Sequence, residues 1–236
     1  MTLAMIDRLM KPDGVNLTAL IWGQAGSGKS TGVQYWATNA LKSARYDENW
    51  RAIYVSPKHE NPFQDLKIGD KDIPILTDVE KAVKAIEKSR LVIWYPDSIS
   101  TMDEALDYLI TSLYEYKESN PDFSATLILD DAQTWIEPRR VNSPEMKRLI
   151  LTGRSKRIKT VLVAHSIIIN RMLEGQCDLV IAFDSGPPIY QKDALTRFNL
   201  DIEKYAISLR EKQYSFLWHD VKENEPQLMN PLEIPE

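Results

Sequence analysis

Gly23-Gln24-Ala25-Gly26-Ser27-Gly28-Lys29-Ser30 is the stretch whose reading decides the fold. It satisfies G-x-x-x-x-G-K-[ST] at every position, and its flanks are those the pattern needs. Ahead of it, Thr18-Ala19-Leu20-Ile21-Trp22 is an apolar run with the character of a buried strand. Behind it, Val33, Trp36, Ala37 and Leu41 recur at helical spacing and predict a helix over Thr31–Leu41. Glycines let backbone N–H groups close on phosphate oxygens, and the helix N-terminus adds the positive end of its dipole. Gly23 to Ser30, with Thr31 after them, are therefore the expected cradle for the phosphates of ATP. Lys29 is expected at the β- and γ-phosphates and the Ser30 hydroxyl on Mg²⁺.

A second element fits the first. Thr126-Leu127-Ile128-Leu129 is a β-rich run that ends in Asp130-Asp131. A carboxylate at the C-terminal end of a buried strand is placed to hold nucleotide-bound Mg²⁺, and Asp130 takes that role. Asp131 is placed to polarise a water for in-line attack on the γ-phosphate.

Further apolar runs at Ala52–Val55, Leu91–Tyr95, Thr160–Ala164 and Leu179–Phe183 alternate with helical patterns. Thr77 with Glu80 and Thr101 with Glu104 are expected capping boxes; Ser143-Pro144 opens a third helix that Gly153 stops. This is an α/β pattern, a mostly parallel central sheet flanked by helices, with ligands at the strands' C-terminal ends. Tyr205–Leu209 and Tyr214–Trp218 read as a C-terminal β-hairpin at the sheet edge. Residues 1–222 are expected to form one domain, and Glu223–Glu236, acidic and Pro-containing, a loosely attached tail.

The 236 residues carry a net charge of −5 and a single cysteine, Cys177, which excludes an internal disulfide framework and suits a reducing compartment. No apolar run approaches the length that spans a bilayer. The average charge hides a reversal. Arg139 to Lys159 holds eight basic residues against the lone acid Glu145, so these 21 residues carry +7 and the remainder −12. Such a run is either a solvated face or a surface turned toward DNA and neighbouring subunits. Arg139, Arg140, Lys147 and Arg148 are the candidate DNA contacts, and Trp135 is expected to pack in a core or an interface.

Together these residues resemble the FtsK–HerA superfamily of DNA-pumping ATPases. Ile53-Tyr54-Val55-Ser56-Pro57-Lys58 is similar to the superfamily's strand followed by D-P-K, with Ser56 in place of the Asp. Gly153-Arg154, then Ile158–Ala164 and His165, is similar to its arginine, strand and polar sensor, with His165 where Gln is usual. The resemblance implies a RecA-like (ASCE) P-loop NTPase fold and an ATP- and Mg²⁺-dependent motor on double-stranded DNA. It implies a homo-oligomeric ring, a hexamer, with Arg154 acting in trans as an arginine finger and Arg157 as the runner-up. In domain economy the chain is most similar to genome-packaging ATPases of tailless viruses with an internal membrane. That points to the host cytoplasm or virion, with a capsid or internal-membrane protein as partner at the packaging vertex. Two other readings stand beside it: a RecA-like recombination or conjugative coupling ATPase, and a nucleotide-binding assembly protein that moves no DNA.

Overall fold

Apolar runs that continue without alternation become strands covered on both faces, and that is how this chain is laid out. The structure, a computed structural model, describes residues 3–12, 18–43, 48–58, 63, 67–68, 71–73, 75–98, 101–137, 140–141, 143–153, 155–165, 175–184, 188–222 and 225–232. In chain order these give α1 (Leu3–Met10), β1 (Thr18–Trp22), α2 (Lys29–Lys42) and β2 (Trp50–Val55). Short β3 (Lys67–Ile68) and β4 (Lys71–Asp72) pair with each other, and β5 (Ile75–Leu76) precedes α3 (Val79–Ile86) and β6 (Leu91–Trp94). Next come α4 (Met102–Ser119), β7 (Ser124–Leu129), the paired β8 (Ile136–Glu137) and β9 (Arg140–Val141), α5 (Pro144–Thr152) and β10 (Ile158–Ala164). The chain continues through β11 (Cys177–Ala182), α6 (Pro188–Phe198), α7 (Ala206–Glu211), β12 (Phe216–Asp220) and β13 (Gln227–Met229).

Nine strands form one sheet in the order β13-β12-β11-β1-β10-β7-β2-β6-β5. From β11 to β5 the neighbours run parallel; β12 and β13 are antiparallel additions at one edge. Alternate residues divide the core. Ala19 and Ile21 of β1 face α1 and α2, with Val33, Trp36 and Ala37 packed on them. Leu20 and Trp22 face the other layer, where α3 to α7 contribute Ile86, Leu109, Ile150, Phe198 and Leu209.

Local rules account for the helix starts with two changes. Ser143 caps α5, accepting from the Met146 N–H at 2.8 Å, and Pro144 occupies the first turn. At α3 the cap is Asp78, not Thr77: its carboxylate accepts from the Lys81 N–H at 2.9 Å. Thr101 precedes α4 as expected but makes no side-chain cap bond.

The C-terminal region departs from the expected pairing. The hairpin exists, but its strands are β12 and β13, and Tyr205–Leu209 lies in a 3-10 turn followed by α7. Only Leu209 of α7 is buried, whereas Ile207 is 71% exposed. A five-residue stretch with three apolar residues at every second position fits one helical turn as well as a strand. Residues from Glu223 onward are likewise not a loose tail throughout, since Gln227–Met229 pairs with Phe216–Trp218 and closes the sheet edge.

The basic segment is divided among different tasks. Lys159 is fully buried in β10 and donates to the carbonyl of Arg8, while the Thr126 hydroxyl donates to the carbonyl of Met10. Both bonds satisfy C-terminal carbonyls of α1, which a helix cannot pair internally. Lys159 thus ties α1 to the sheet and is no part of a DNA-facing surface.

Candidate functional site

The loop between β1 and α2 is held from two sides. Gln24 donates from its backbone N–H to the Asp184 carbonyl and from its side-chain amide to the Asp184 carboxylate, both at 2.8 Å, which fixes the loop to the end of β11. Gly28 precedes α2 at φ 98°, and a Cβ there would lie 3.0 Å from Cδ1 of Tyr214. That position needs both the left-handed backbone and the missing side chain, so glycine alone fits.

Three strand ends converge in front of this loop because of the sheet order. β10 lies between β1 and β7, so His165, just past β10, sits between Lys29 and Asp131. The Lys29 ammonium donates to the Gln24 carbonyl at 2.7 Å and lies 3.2 Å from Nδ1 of His165. An ammonium has no lone pair, so Nδ1 accepts and the proton of the neutral ring resides on Nε2. Nε2 then donates to Asp131 Oδ1 at 2.8 Å. The result is a directed chain from Lys29 through His165 to Asp131.

Asp131 is also bound on its other oxygen. Lys58 Nζ lies 2.7 Å from Oδ2, pairing a half-exposed cation with a carboxylate whose side chain is 9% exposed. Gln133 donates to Asp131 Oδ1 at 3.3 Å and accepts from the His165 N–H at 3.3 Å. The backbone of Asp131 is left-handed, φ 48° and ψ 50°, which Asp tolerates better than most residues. This twist separates the directions of the two adjacent carboxylates.

Asp130 faces the Ser30 side. Its Oδ2 accepts from the Tyr54 hydroxyl at 2.5 Å and from the Ser30 hydroxyl at 3.5 Å; its Oδ1 accepts from the Asp131 N–H at 3.0 Å. Burial, and then the neighbouring Asp130 charge, raise the Tyr54 phenol well above its usual range, so it stays a donor. Burial lowers the Lys29 ammonium to about 8, outweighing the opposing pull of Asp130 and Asp131. The Ser30 hydroxyl opposite an Asp130 carboxylate is an oxygen pair suited to a hard divalent cation. Among the described residues no three His, Cys, Asp or Glu converge on one point, so an ion held by Ser30 and Asp130 would need phosphate or water oxygens to fill its shell.

A cleft of about 490 Å³ opens over the loop. Lys29, Lys58, His165, Phe183, Tyr214 and Leu232 are among the residues that line it.

By sequence the chain matches no protein-family model and no curated protein. By structure it is similar to the genome-packaging NTPase B204 of Sulfolobus turreted icosahedral virus 2 in complex with ATP-gammaS: TM-score 0.71, 17% identity, 94% of this chain and 99% of that one. This is a RecA-like P-loop NTPase fold. VirB4 of Thermoanaerobacter pseudethanolicus shares the fold at TM-score 0.64 and 9% identity, over 94% of this chain and 91% of that one. The pCW3 conjugation coupling protein TcpA with ATPgS is similar at TM-score 0.51 and 12% identity, over 92% of this chain and 60% of that one.

Within this P-loop fold the structure brings Lys29, Ser30, Asp130, Asp131 and His165 together. Arg139 and Arg154 lie outside the described residues, and Arg140 belongs to β9. Lys147 and Arg148 are exposed on α5; Arg148 pairs with Glu145 at 3.1 Å and stands 4.5 Å over the Tyr114 ring. Arg157 donates to the Asp122 carbonyl at 3.4 Å. Trp135 is core, its indole N–H donating to the Asp130 carbonyl at 3.2 Å.

Sequence reasoning gave no role to Lys58, Tyr54 or Gln133. Lys58 had a usable signal. β2 and β7 pair with Val55 opposite Leu129, so polar residues just past Val55 lie beside Asp130 and Asp131. Every polar residue after a parallel strand's C-terminal end is a site candidate on that ground.

Proposed function

We propose that this chain is an ATP-hydrolysing motor that moves double-stranded DNA, in the manner of a viral genome-packaging ATPase. The observation that carries the reading is the convergence of Lys29, Asp131 and His165 at three strand ends. A cation for the phosphates, a carboxylate for a water and a polar residue between them are the parts that in-line attack on a γ-phosphate requires. Mg²⁺ held by Ser30 and Asp130 would neutralise phosphate charge. Lys58 and His165 hold the Asp131 carboxylate in position, and an incoming γ-phosphate would compete for the Lys58 ammonium. The packaging role is supported by the B204 likeness in fold and by the exposed basic residues Lys147 and Arg148 of α5.

Arg154 is assigned as the arginine finger of a neighbouring subunit in a ring. Gly153 and Ser155 flank it at the N-terminal end of β10, the opposite end of that strand from His165. An arginine finger at this point of the chain would serve a neighbouring subunit's nucleotide, for which a head-to-tail ring is the matching assembly.

Duplex DNA should stimulate ATP turnover, and Lys29→Ala should abolish it. Arg154→Ala and Asp131→Asn should each be inactive while still binding ATP, and mixing the two after subunit exchange should restore activity. Mixtures as inactive as their parents would refute the shared site. Stimulation by single-stranded DNA alone would favour the conjugative or recombination reading, to which the TcpA likeness lends support.

A further inference from the structure

Asp130 is held from β2 as well as from its own strand. β2 and β7 run parallel with Tyr54 opposite Ile128. Alternate residues of a strand share a face, so Tyr54 and Ser56 lie on the same side of the sheet as Ile128 and Asp130. That side is the one α2 covers, and α2 begins with Lys29 and Ser30. Tyr54 is buried, and its ring meets Phe63 edge-on, with centroids 5.3 Å apart at 82°. A phenylalanine would fill that space equally well. The hydroxyl is therefore more than packing needs, and a buried hydroxyl is costly unless it is paired.

Its partner is the carboxylate oxygen that faces Ser30. Asp130 Oδ2 accepts from the Tyr54 hydroxyl at 2.5 Å and from the Ser30 hydroxyl at 3.5 Å. The first distance is that of a strong, charge-assisted bond. An ionised carboxylate can only accept, so the phenol spends its one proton on Asp130. The buried Ser56 hydroxyl is hydrogen-bonded to the same phenol and must donate to it. Ser56 Oγ in turn accepts from the Lys58 N–H at 3.2 Å. With the Asp131 N–H on Oδ1 at 3.0 Å, both oxygens of Asp130 are fixed.

We propose that Tyr54 is a positioning residue for the nucleotide-bound cation, fixing Asp130 so that Oδ2 stands opposite Ser30 when the cation arrives. The inference rests on the assignment of Ser30 and Asp130 to Mg²⁺ and adds to it a residue from a different strand, acting through Asp130. Hydrogen-bond partners behind a metal-binding carboxylate commonly account for about 10- to 100-fold of metal affinity.

Tyr54→Phe keeps the ring against Phe63 and removes the hydroxyl alone. Calorimetry measures the affinity of the full chain for a non-hydrolysable ATP analogue, once with Mg²⁺ and once with EDTA. The ratio of the two affinities reads the coupling between cation and nucleotide. Tyr54→Phe should lower that ratio by about 10- to 100-fold and leave the metal-free affinity within about twofold. Ser56→Ala, which frees the phenol without removing it, should lower the ratio by less. In an Asp130→Asn background, Tyr54→Phe should change the ratio by less than about twofold, because the carboxylate it positions is gone. A Tyr54→Phe ratio equal to that of wild type would overturn the proposal. So would equal losses with and without Mg²⁺, which would make Tyr54 a residue of the fold alone. Wild-type affinity that is the same in Mg²⁺ and in EDTA would instead sink the cation assignment, and the proposal with it.

Discussion

The strand ends around Lys29 and the basic stretch from Arg139 to Lys159 both stand out in the sequence, and they fold in opposite ways. At the strand ends, polar side chains from four distant segments close into one network: Lys29, His165, Asp131 and Lys58. In the basic stretch, neighbours in sequence disperse. Lys159 enters the core to hold α1, Arg148 lies on Tyr114 beside Glu145, and Lys156 pairs with Glu118 at 3.0 Å. A motif that dictates backbone geometry survives folding as a unit. A count of charges does not, because each side chain finds whatever partner the tertiary packing offers.

Breaking the network should cost the most. Asp131→Asn removes the carboxylate that His165 and Lys58 hold, and should lower turnover by about 10²- to 10⁴-fold while ATP affinity stays within a few-fold. Steady-state rates and calorimetric affinities on the same preparation check it. A rate within a few-fold of wild type would remove Asp131 from the chemistry and leave the network a structural one.

Lys159→Ala tests whether that residue belongs to the fold or to a DNA surface. It empties a buried position and leaves the Arg8 carbonyl without this donor, so it should destabilise the protein by about 1–3 kcal/mol. The midpoint of denaturant unfolding reads this directly. The salt dependence of DNA binding should not change; a flatter slope with unchanged stability would return Lys159 to the surface reading.

Lys147→Ala sharpens the contrast from the other side, since Lys147 is exposed on α5. If α5 faces DNA, the slope of log affinity against log salt should fall by about one unit. Titrations at several salt concentrations measure it, and an unchanged slope excludes Lys147 from the contact. Smallest of all, Arg148→Ala should cost about 0.5 kcal/mol, an exposed ion pair together with a cation–π contact. Thermal unfolding compared with Glu145→Ala and the double variant isolates that pairing energy.

Much of the fold was legible because the signals are local. The apolar runs predicted as strands at 18–22, 52–55, 91–95, 126–129, 160–164 and 179–183 all fall on observed strands, with ends shifted by up to two residues. The phosphate loop was legible for the same reason, as were the Ser143 cap and the Pro144 start. The C-terminal edge was less so. Tyr205–Leu209 is too short to distinguish a period of two from 3.6, and β13 is a three-residue strand with no long apolar run to announce it.

The sequence by itself determined the chemistry of the loop, because a run of glycines followed by Lys29 and Ser30 fixes which backbone and side-chain groups are presented. It also determined that Asp130 and Asp131 follow a buried strand. Only the tertiary structure decided that β10 lies between β1 and β7, which inserts His165 between Lys29 and Asp131. It decided too that Lys58 closes on Asp131 and Tyr54 on Asp130, since β2 neighbours β7 although paired residues stand 74 apart in sequence. Strand order in a parallel sheet is set by how helices and strands pack, not by proximity along the chain, and so are the contacts between strand ends.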